Sequence, residues 1–225
     1  MRYYPVFVHL ENKDCLVVGA GDVGKRKIKS LLEARARTIL VIDTHPADDE
    51  LASMVSQKHV IFECRAFQAS DVESKFLVIA STSNKALNQE ICELCERRNT
   101  LCNSVDQPEL GSFTVPATVK RGDLTLAIST SGQSPAMTRQ LRRDLANQFG
   151  DEYARFLTFM GRLRPLLLAL GMETKNNTKV FREMVGSPLL KAMKEHNLDA
   201  AREILKKLLP SSLHTNIPEL LDELV

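Results

Sequence analysis

The sequence has no tryptophan and only three tyrosines among 225 residues. So few flat side chains disfavour a single-stranded nucleic-acid platform, which stacks bases on aromatic rings. Charge of one sign is lacking too, because 30 Lys and Arg face 28 Asp and Glu and leave a formal net charge of +2. That balance gives no global attraction to nucleic acid or a membrane surface, and any basic site must be local. Long hydrophobic runs are missing: Leu166 to Leu170 is far short of the ~20 residues that span a bilayer. The N-terminal stretch MRYYPVFVHLENKD has neither the charged-then-apolar order nor the cleavage site of a secretory signal. Five cysteines, an odd number without such a signal, favour reduced thiols, so a cytoplasmic protein is expected. No internal repeat occurs, and the five histidines show no metal-ligand spacing, so no metal site is expected.

What is present is ordinary globular usage, 44% hydrophobic and 26% charged, which excludes a disordered chain. Short apolar runs at Cys15–Val18, Thr38–Ile42, Val60–Phe62, Phe76–Ala80 and Leu101–Val105 alternate with helical patterns at Val23–Ala34, Glu50–Ser56 and Ala86–Arg98. Unbroken apolar strands separated by helices predict an α/β fold, a Rossmann-type parallel sheet covered on both faces. From Ser112 the texture changes. Phe113–Lys120 and Leu124–Ser129, joined by Arg121-Gly122-Asp123, read as an antiparallel hairpin. Ser134-Pro135 then caps and opens a helix to about Phe149. Everything beyond Gly150 reads as helical, with Phe156, Leu157, Met160 and Leu163 on one face and a stripe of Ile204, Leu205, Leu208 and Leu209 before Pro210. The expected organisation is a nucleotide-binding domain over 1–112, a hairpin-and-helix segment over 113–149 for dimerisation and substrate, and a helical region over 150–225.

The strongest local signal is Gly19-Ala20-Gly21-Asp22-Val23-Gly24, set between the first strand and the first helix. A dinucleotide site needs that order. The first glycine makes the turn, the second lets backbone approach a pyrophosphate, and the third packs helix on strand. Asp43 ends the second strand, where a carboxylate accepts hydrogen bonds from a ribose. Asp106, in Asn103-Ser104-Val105-Asp106, follows the fifth strand, where a carboxylate can serve as general base beside a nicotinamide; an Asx turn before proline is the plainer reading. Lys120, Arg121, Arg139, Arg142 and Arg143 cluster around the hairpin and its helix. With the Ser134 helix start they could hold a polycarboxylate, or simply form a solvated face. Cys92-x-x-Cys95 has no second pair and no nearby histidine, so it is expected to place half-buried thiols on a helix face.

These residues resemble the precorrin-2 dehydrogenases, the N-terminal module of siroheme synthase. The matching stretches are Tyr4-Pro5-Val6-Phe7, GAGDVGKRK from Gly19 to Lys27, Asn103-x-Val105-Asp106, Ser112–Ala117, Arg121–Leu124 and Ala127–Pro135. The resemblance implies NAD-dependent oxidation of precorrin-2, a tetrapyrrole polycarboxylate, to sirohydrochlorin on the way to siroheme or cobalamin. It implies Asp106 as the key catalytic residue, with Asp22, Val23, Asp43 and Thr44 contacting NAD beside Gly19, Gly21 and Gly24. Arg121, Ser134 and Arg139 are the candidates for substrate. Some members also insert iron, and members form homodimers that exchange the hairpin region. Neither a membrane nor nucleic acid is an expected partner. The methyltransferase domain fused to some members has no counterpart here, so that step is expected of another protein. Arg35 stands where the family commonly has glycine, which predicts that the first helix ends differently. A non-catalytic NAD-sensing regulatory domain is the competing reading; such a sensor needs neither Asp106 nor the arginine-flanked hairpin.

Overall fold

The computed structural model describes residues 3–224. Its first strand, β1 (Asp14–Val18), is apolar on both faces because both are covered. Cys15 and Val17 join one core with Ile39 and Val41 of β2 (Thr38–Asp43), Leu77 and Ile79 of β4 (Leu77–Ala80), and Ile28 and Leu31 of α1 (Asp22–Glu33). Leu16 and Val18 join the other core with Ile42, Val78, Ala80 and with Ile91, Cys92 and Cys95 of α3 (Lys85–Arg97). The alternation follows from the two-residue period of a strand. With β3 (Val60–Cys64) and β5 (Leu101–Ser104), the strands form one parallel sheet in the order β3-β2-β1-β4-β5. Val18 lies beside both Ile42 and Ala80, and Ala80 beside Ser104, so the carboxyl ends of β2, β1, β4 and β5 are level. Strand order reverses between β1 and β4, and such a switch point is where open α/β sheets bind ligands.

The helices take their ends from local capping. Asp48 accepts a hydrogen bond from Leu51 N–H at 2.8 Å to open α2 (Asp49–Val55), and Asn84 accepts from Leu87 N–H at 3.2 Å to open α3. The end of α1 corrects the expectation for Arg35. The helix closes as it would with glycine: Ala36 N–H donates to Leu31 O at 3.1 Å and Arg35 N–H to Leu32 O at 2.9 Å. Arg35 itself takes the left-handed conformation, φ 56°. These paired bonds, together with burial of Ala36 and Leu31 in the same core, outweigh a strain of ~1–2 kcal/mol.

The chain folds as two compact units, Met1–Val115 and Pro116–Val225. The hairpin strands are β6 (Ala117–Arg121) and β7 (Leu124–Ile128), with Gly122 at φ 55° in their turn. Strand β6 starts later than the expected Phe113 because residues 112 and 113 are tied to β5 instead. Ser112 N–H donates to Cys102 O at 2.8 Å, Asn103 Nδ2 donates to Phe113 O at 3.1 Å, and the Phe113 ring packs on the first core. Pro116, which has no N–H for a ladder, separates the two behaviours. Helix α4 (Pro135–Gln148) packs on β6 and β7, in the same unit as the tail helices α5 (Glu152–Ala169), α6 (Thr174–Val185), α7 (Leu189–Lys194), α8 (Leu198–Leu208) and α9 (Ile217–Leu220). The inward face of α5 is Phe156, Phe159, Leu163 and Leu167, a turn of the stripe read from sequence; Leu157 and Met160 lie at its margin. Met184, Met193 and Leu205 complete that core.

Candidate active site

The glycine turn after β1 assigns each glycine its own role. Gly19 has φ 94°, and a Cβ there would lie 2.6 Å from Ser81 O. At Gly24 a Cβ would lie 2.0 Å from Gly19 O, so only glycine lets α1 pack this close to the turn. Gly21 differs, since a Cβ there would meet nothing within 4 Å. The protein itself does not require that glycine; the open space is the approach a pyrophosphate needs, beside the N–H groups at the start of α1. Asp22 opens that helix with an exposed carboxylate, Val23 is half-buried, and Thr44 is exposed after β2.

Asp43 closes this turn from the end of β2. Its Oδ2 accepts from Ala20 N–H at 2.6 Å, and its Oδ1 accepts from His45 N–H at 2.9 Å, with His45 Nδ1 at 3.1 Å. Burial raises the Asp43 pKa, but the Ala20 and His45 hydrogen bonds outweigh burial and hold it below the usual carboxylate range. A carboxylate has about four lone-pair sites, so a ribose hydroxyl can still be accepted. Lys25, on α1, is committed to carboxylates: it meets Asp48 at 2.6 Å, Glu50 at 2.9 Å and Asp22 at 3.6 Å. Arg37 pairs with Asp14 at the opposite, amino end of the strands.

Asp106 stands at the same carboxyl edge, beyond β5. Its Oδ1 accepts from Asn88 Nδ2 at 2.9 Å and from Ser104 Oγ at 3.0 Å. Burial pushes its pKa up, but the Asn88 and Ser104 donors, its own backbone N–H and the charge of Lys85 prevail and lower it. Asp106 is therefore an anion at neutral pH. Asn88 was missed by sequence reasoning because it sits in a helix among polar neighbours. The signal was its spacing, since Asn88 shares one face of α3 with Ile91, Cys92 and Cys95, all buried.

The remaining candidates lie in the second unit. Ser134 caps α4, accepting from Met137 N–H at 3.2 Å. Arg121 is engaged within its own unit: Nη2 donates to Ala146 O at 2.9 Å, Nη1 to Lys120 O at 2.8 Å, and Nε faces Asp151 at 3.4 Å. Arg139 is exposed on α4. Cys92 and Cys95 are buried rather than half-buried, with Cys92 Sγ 3.1 Å from Cys102 Sγ. The thiol contacts from Cys92 and Cys95, together with burial, push the Cys102 thiol far up. Among the described residues no group of three His, Cys, Asp or Glu side chains is arranged to hold a metal ion.

Sheet order, glycine turn and edge carboxylates define a dinucleotide-binding α/β protein. Residues 6–117 match a family model described as putative NAD(P)-binding, and residues 121–148 match one described as the sirohaem biosynthesis protein central segment. Siroheme synthase of Thioalkalivibrio sulfidiphilus is 34% identical over 216 residues, covering 96% of this chain and 44% of that protein. Siroheme synthase of Citrobacter koseri is 30% identical over 217 residues, 95% of this chain and 46% of that protein. The chain thus spans less than half the length of these relatives. A solved structure described as SirC, precorrin-2 dehydrogenase, superposes with a TM-score of 0.76 at 24% identity, covering 92% of this chain and 98% of that one. The chain thus carries both of these family segments and is similar over 95–96% of its length to siroheme synthases.

Proposed function

We propose that this chain is an NAD-dependent dehydrogenase that converts precorrin-2 to sirohydrochlorin in the synthesis of siroheme or cobalamin. The observation that carries the reading is Asp106, an anion held by two buried donors at the same sheet edge as the glycine turn. The reaction removes one hydride and one proton from the substrate. When bound, the nicotinamide supplies the hydride acceptor. The chain supplies the rest. Gly19, Gly21 and Gly24 with the amides of Asp22 and Val23 hold the pyrophosphate, while Asp43 and Thr44 take the adenosine ribose.

Asp106 then takes the proton. A carboxylate with a depressed pKa is a weak base toward an ordinary C–H, but loss of a hydride leaves positive charge that acidifies the neighbouring proton. The same anion stabilises that charge as it develops. Arg139, with Arg142 and Arg143, offers exposed cations to a polycarboxylate, and the Ser134 helix start adds N–H donors. We also propose a cytoplasmic homodimer built on the hairpin and α4. None of the fourteen residues of α4 is buried, and Met137 and Leu141 are 53% and 38% exposed on it. Among the described residues, no helix is long and apolar enough to cross a membrane. The test is to generate precorrin-2 anaerobically, add the protein with NAD⁺, and follow sirohydrochlorin by absorbance and NADH by fluorescence. Stoichiometric formation of both is expected; NAD binding without turnover would favour the sensor reading.

A further inference from the structure

We propose that Asn88 is a positioning residue for Asp106, fixing the carboxylate through Oδ1 so that Oδ2 is left for the ligand, and joining it to the loop that covers the glycine turn. The inference rests on the dehydrogenase reading above and extends it to a residue outside every matching motif. Asn88 is 0% exposed, and an unpaired buried amide costs ~1–3 kcal/mol. Here each polar atom is used. Nδ2 donates to Asp106 Oδ1 at 2.9 Å and to Thr82 O at 3.0 Å; Oδ1 accepts from Thr82 Oγ1 at 2.7 Å and from Thr82 N–H at 3.2 Å. A carboxylate and a carbonyl can only accept, and a backbone N–H can only donate, so the amide has one orientation. Thr82 therefore aims one N–H of Asn88 at Asp106.

Ser104 Oγ, itself buried, adds its donor to the same oxygen at 3.0 Å. Thr82 follows Ser81, whose carbonyl fills the room that a side chain at Gly19 would need and whose Oγ donates to Gly19 O at 2.7 Å. Glycine turn, β4 loop, Asn88 and Asp106 thus form one hydrogen-bonded frame. The titratable groups around Asp106 are Lys85 and Cys92 on α3, and Glu109 lies exposed just after it. Lys85 favours the anion, but only Asn88 and Ser104 also fix its direction.

The test compares three variants of the full chain. Asn88→Asp keeps the shape and replaces the donor by an acceptor. Two carboxylates this close share a proton, so the pair titrates upward. We expect kcat to fall about ten- to hundredfold while the NAD dissociation constant stays within about threefold, the acid limb of kcat against pH moving up by about one unit or more. A ¹³C titration of the carboxyl groups in substrate-free protein should show the same rise. Thr82→Val removes the hydroxyl that orients the amide at a partly exposed position, so it keeps the question open if Asn88→Asp does not fold. It should lower kcat about two- to tenfold and raise the Asp106 titration in the same direction. Unchanged Asp106 titration and pH profile in whichever variant folds would overturn the proposal. Asp106→Asn and the wild-type assay separate the levels. NAD binding without turnover in the wild-type chain would refute the dehydrogenase reading. Wild-type turnover in Asp106→Asn would refute Asp106 as the base and with it the positioning role. An inactive Asp106→Asn beside a wild-type profile in the Asn88 and Thr82 variants would refute only the positioning role.

Discussion

The carboxyl edge of the parallel sheet and the exposed face of α4 hold polar side chains in opposite ways. At the sheet edge, Asp43, Asn88 and Asp106 are each fastened by named donors before any ligand arrives. On α4, Arg139, Arg142 and Arg143 stand in solvent without a carboxylate partner among the described residues, beside exposed Met137 and Leu141. The first region is preorganised, so it can favour a transition state without reordering. The second carries long side chains that each lose up to ~2 kcal/mol of rotamer entropy when fixed. Such a face suits recognition by many weak, charge-assisted contacts, or burial against a second copy, rather than chemistry.

The largest test of this contrast is Asp106→Asn. It keeps the shape and the Ser104 donor but removes the proton acceptor, and loss of a general base costs about 10²–10⁴-fold in rate. Turnover should collapse while NAD affinity holds; near-normal kcat would reduce Asp106 to a turn residue. Next comes Asp43→Asn. NAD⁺ should be preferred over NADP⁺ by about a hundredfold, because the Asp43 anion would face a 2′-phosphate of about −1.5 to −2 charges. Lys25 is neutralised by its three carboxylates and Arg37 lies at the far end, so neither is placed to accept that phosphate. Asn retains an acceptor for Ala20 N–H, so the kcat/KM ratio of the two cofactors should move toward unity without loss of the turn. An unmoved ratio would release Asp43 from setting the choice.

Smaller again is the effect expected on α4. Leu141→Glu should weaken dimerisation about tenfold or more, read as monomer in light scattering at micromolar concentration, because an exposed apolar residue at a buried interface centre contributes most of its energy through desolvation. A wild-type chain already monomeric at that concentration would break the comparison from the other side, leaving α4 as a solvated face.

The sheet was legible in the sequence because unbroken apolar runs such as Cys15–Val18 have one economical use, between two helix layers. The glycine turn was legible because each glycine meets a steric demand local in sequence. Asn88 was not, since its partners Thr82 and Asp106 come from different loops and only the folded chain brings them together. Arg121 was read from the basic cluster around the hairpin, and the hydrogen bond from its Nη2 to Ala146 O on α4 was not legible because the two residues are 25 positions apart. On α5 the stripe was turned by about one position. Phe159 and Leu167 were overlooked because the whole helix is apolar enough to support several faces, and only packing chooses among them.

The smallest expected effect concerns Arg35, where local preference and tertiary structure disagree. Its φ of 56° costs an L-residue ~1–2 kcal/mol relative to the right-handed region. Glycine avoids that strain but loses ~0.5–1 kcal/mol through greater freedom in the unfolded chain. The side chain is exposed and makes no ion pair among the described residues, so removing it forfeits little. Arg35→Gly should therefore stabilise the first unit by ~0.5–1 kcal/mol, or raise Tm by ~2–4 °C, with activity unchanged. Asn99 supplies the control. It ends α3 with the same pair of bonds, Thr100 N–H to Cys95 O at 2.9 Å and Asn99 N–H to Glu96 O at 3.1 Å, and also lies in the left-handed region, at φ 53°. Asparagine tolerates that region, so Asn99→Gly should gain at most a few tenths of a kcal/mol. Equal responses at the two positions would mean that the helix end, and not the arginine, sets the energy. A larger gain at Arg35 would show that the turn between α1 and β2 is held by the buried Ala36 and Leu31 against the preference of the residue that makes it.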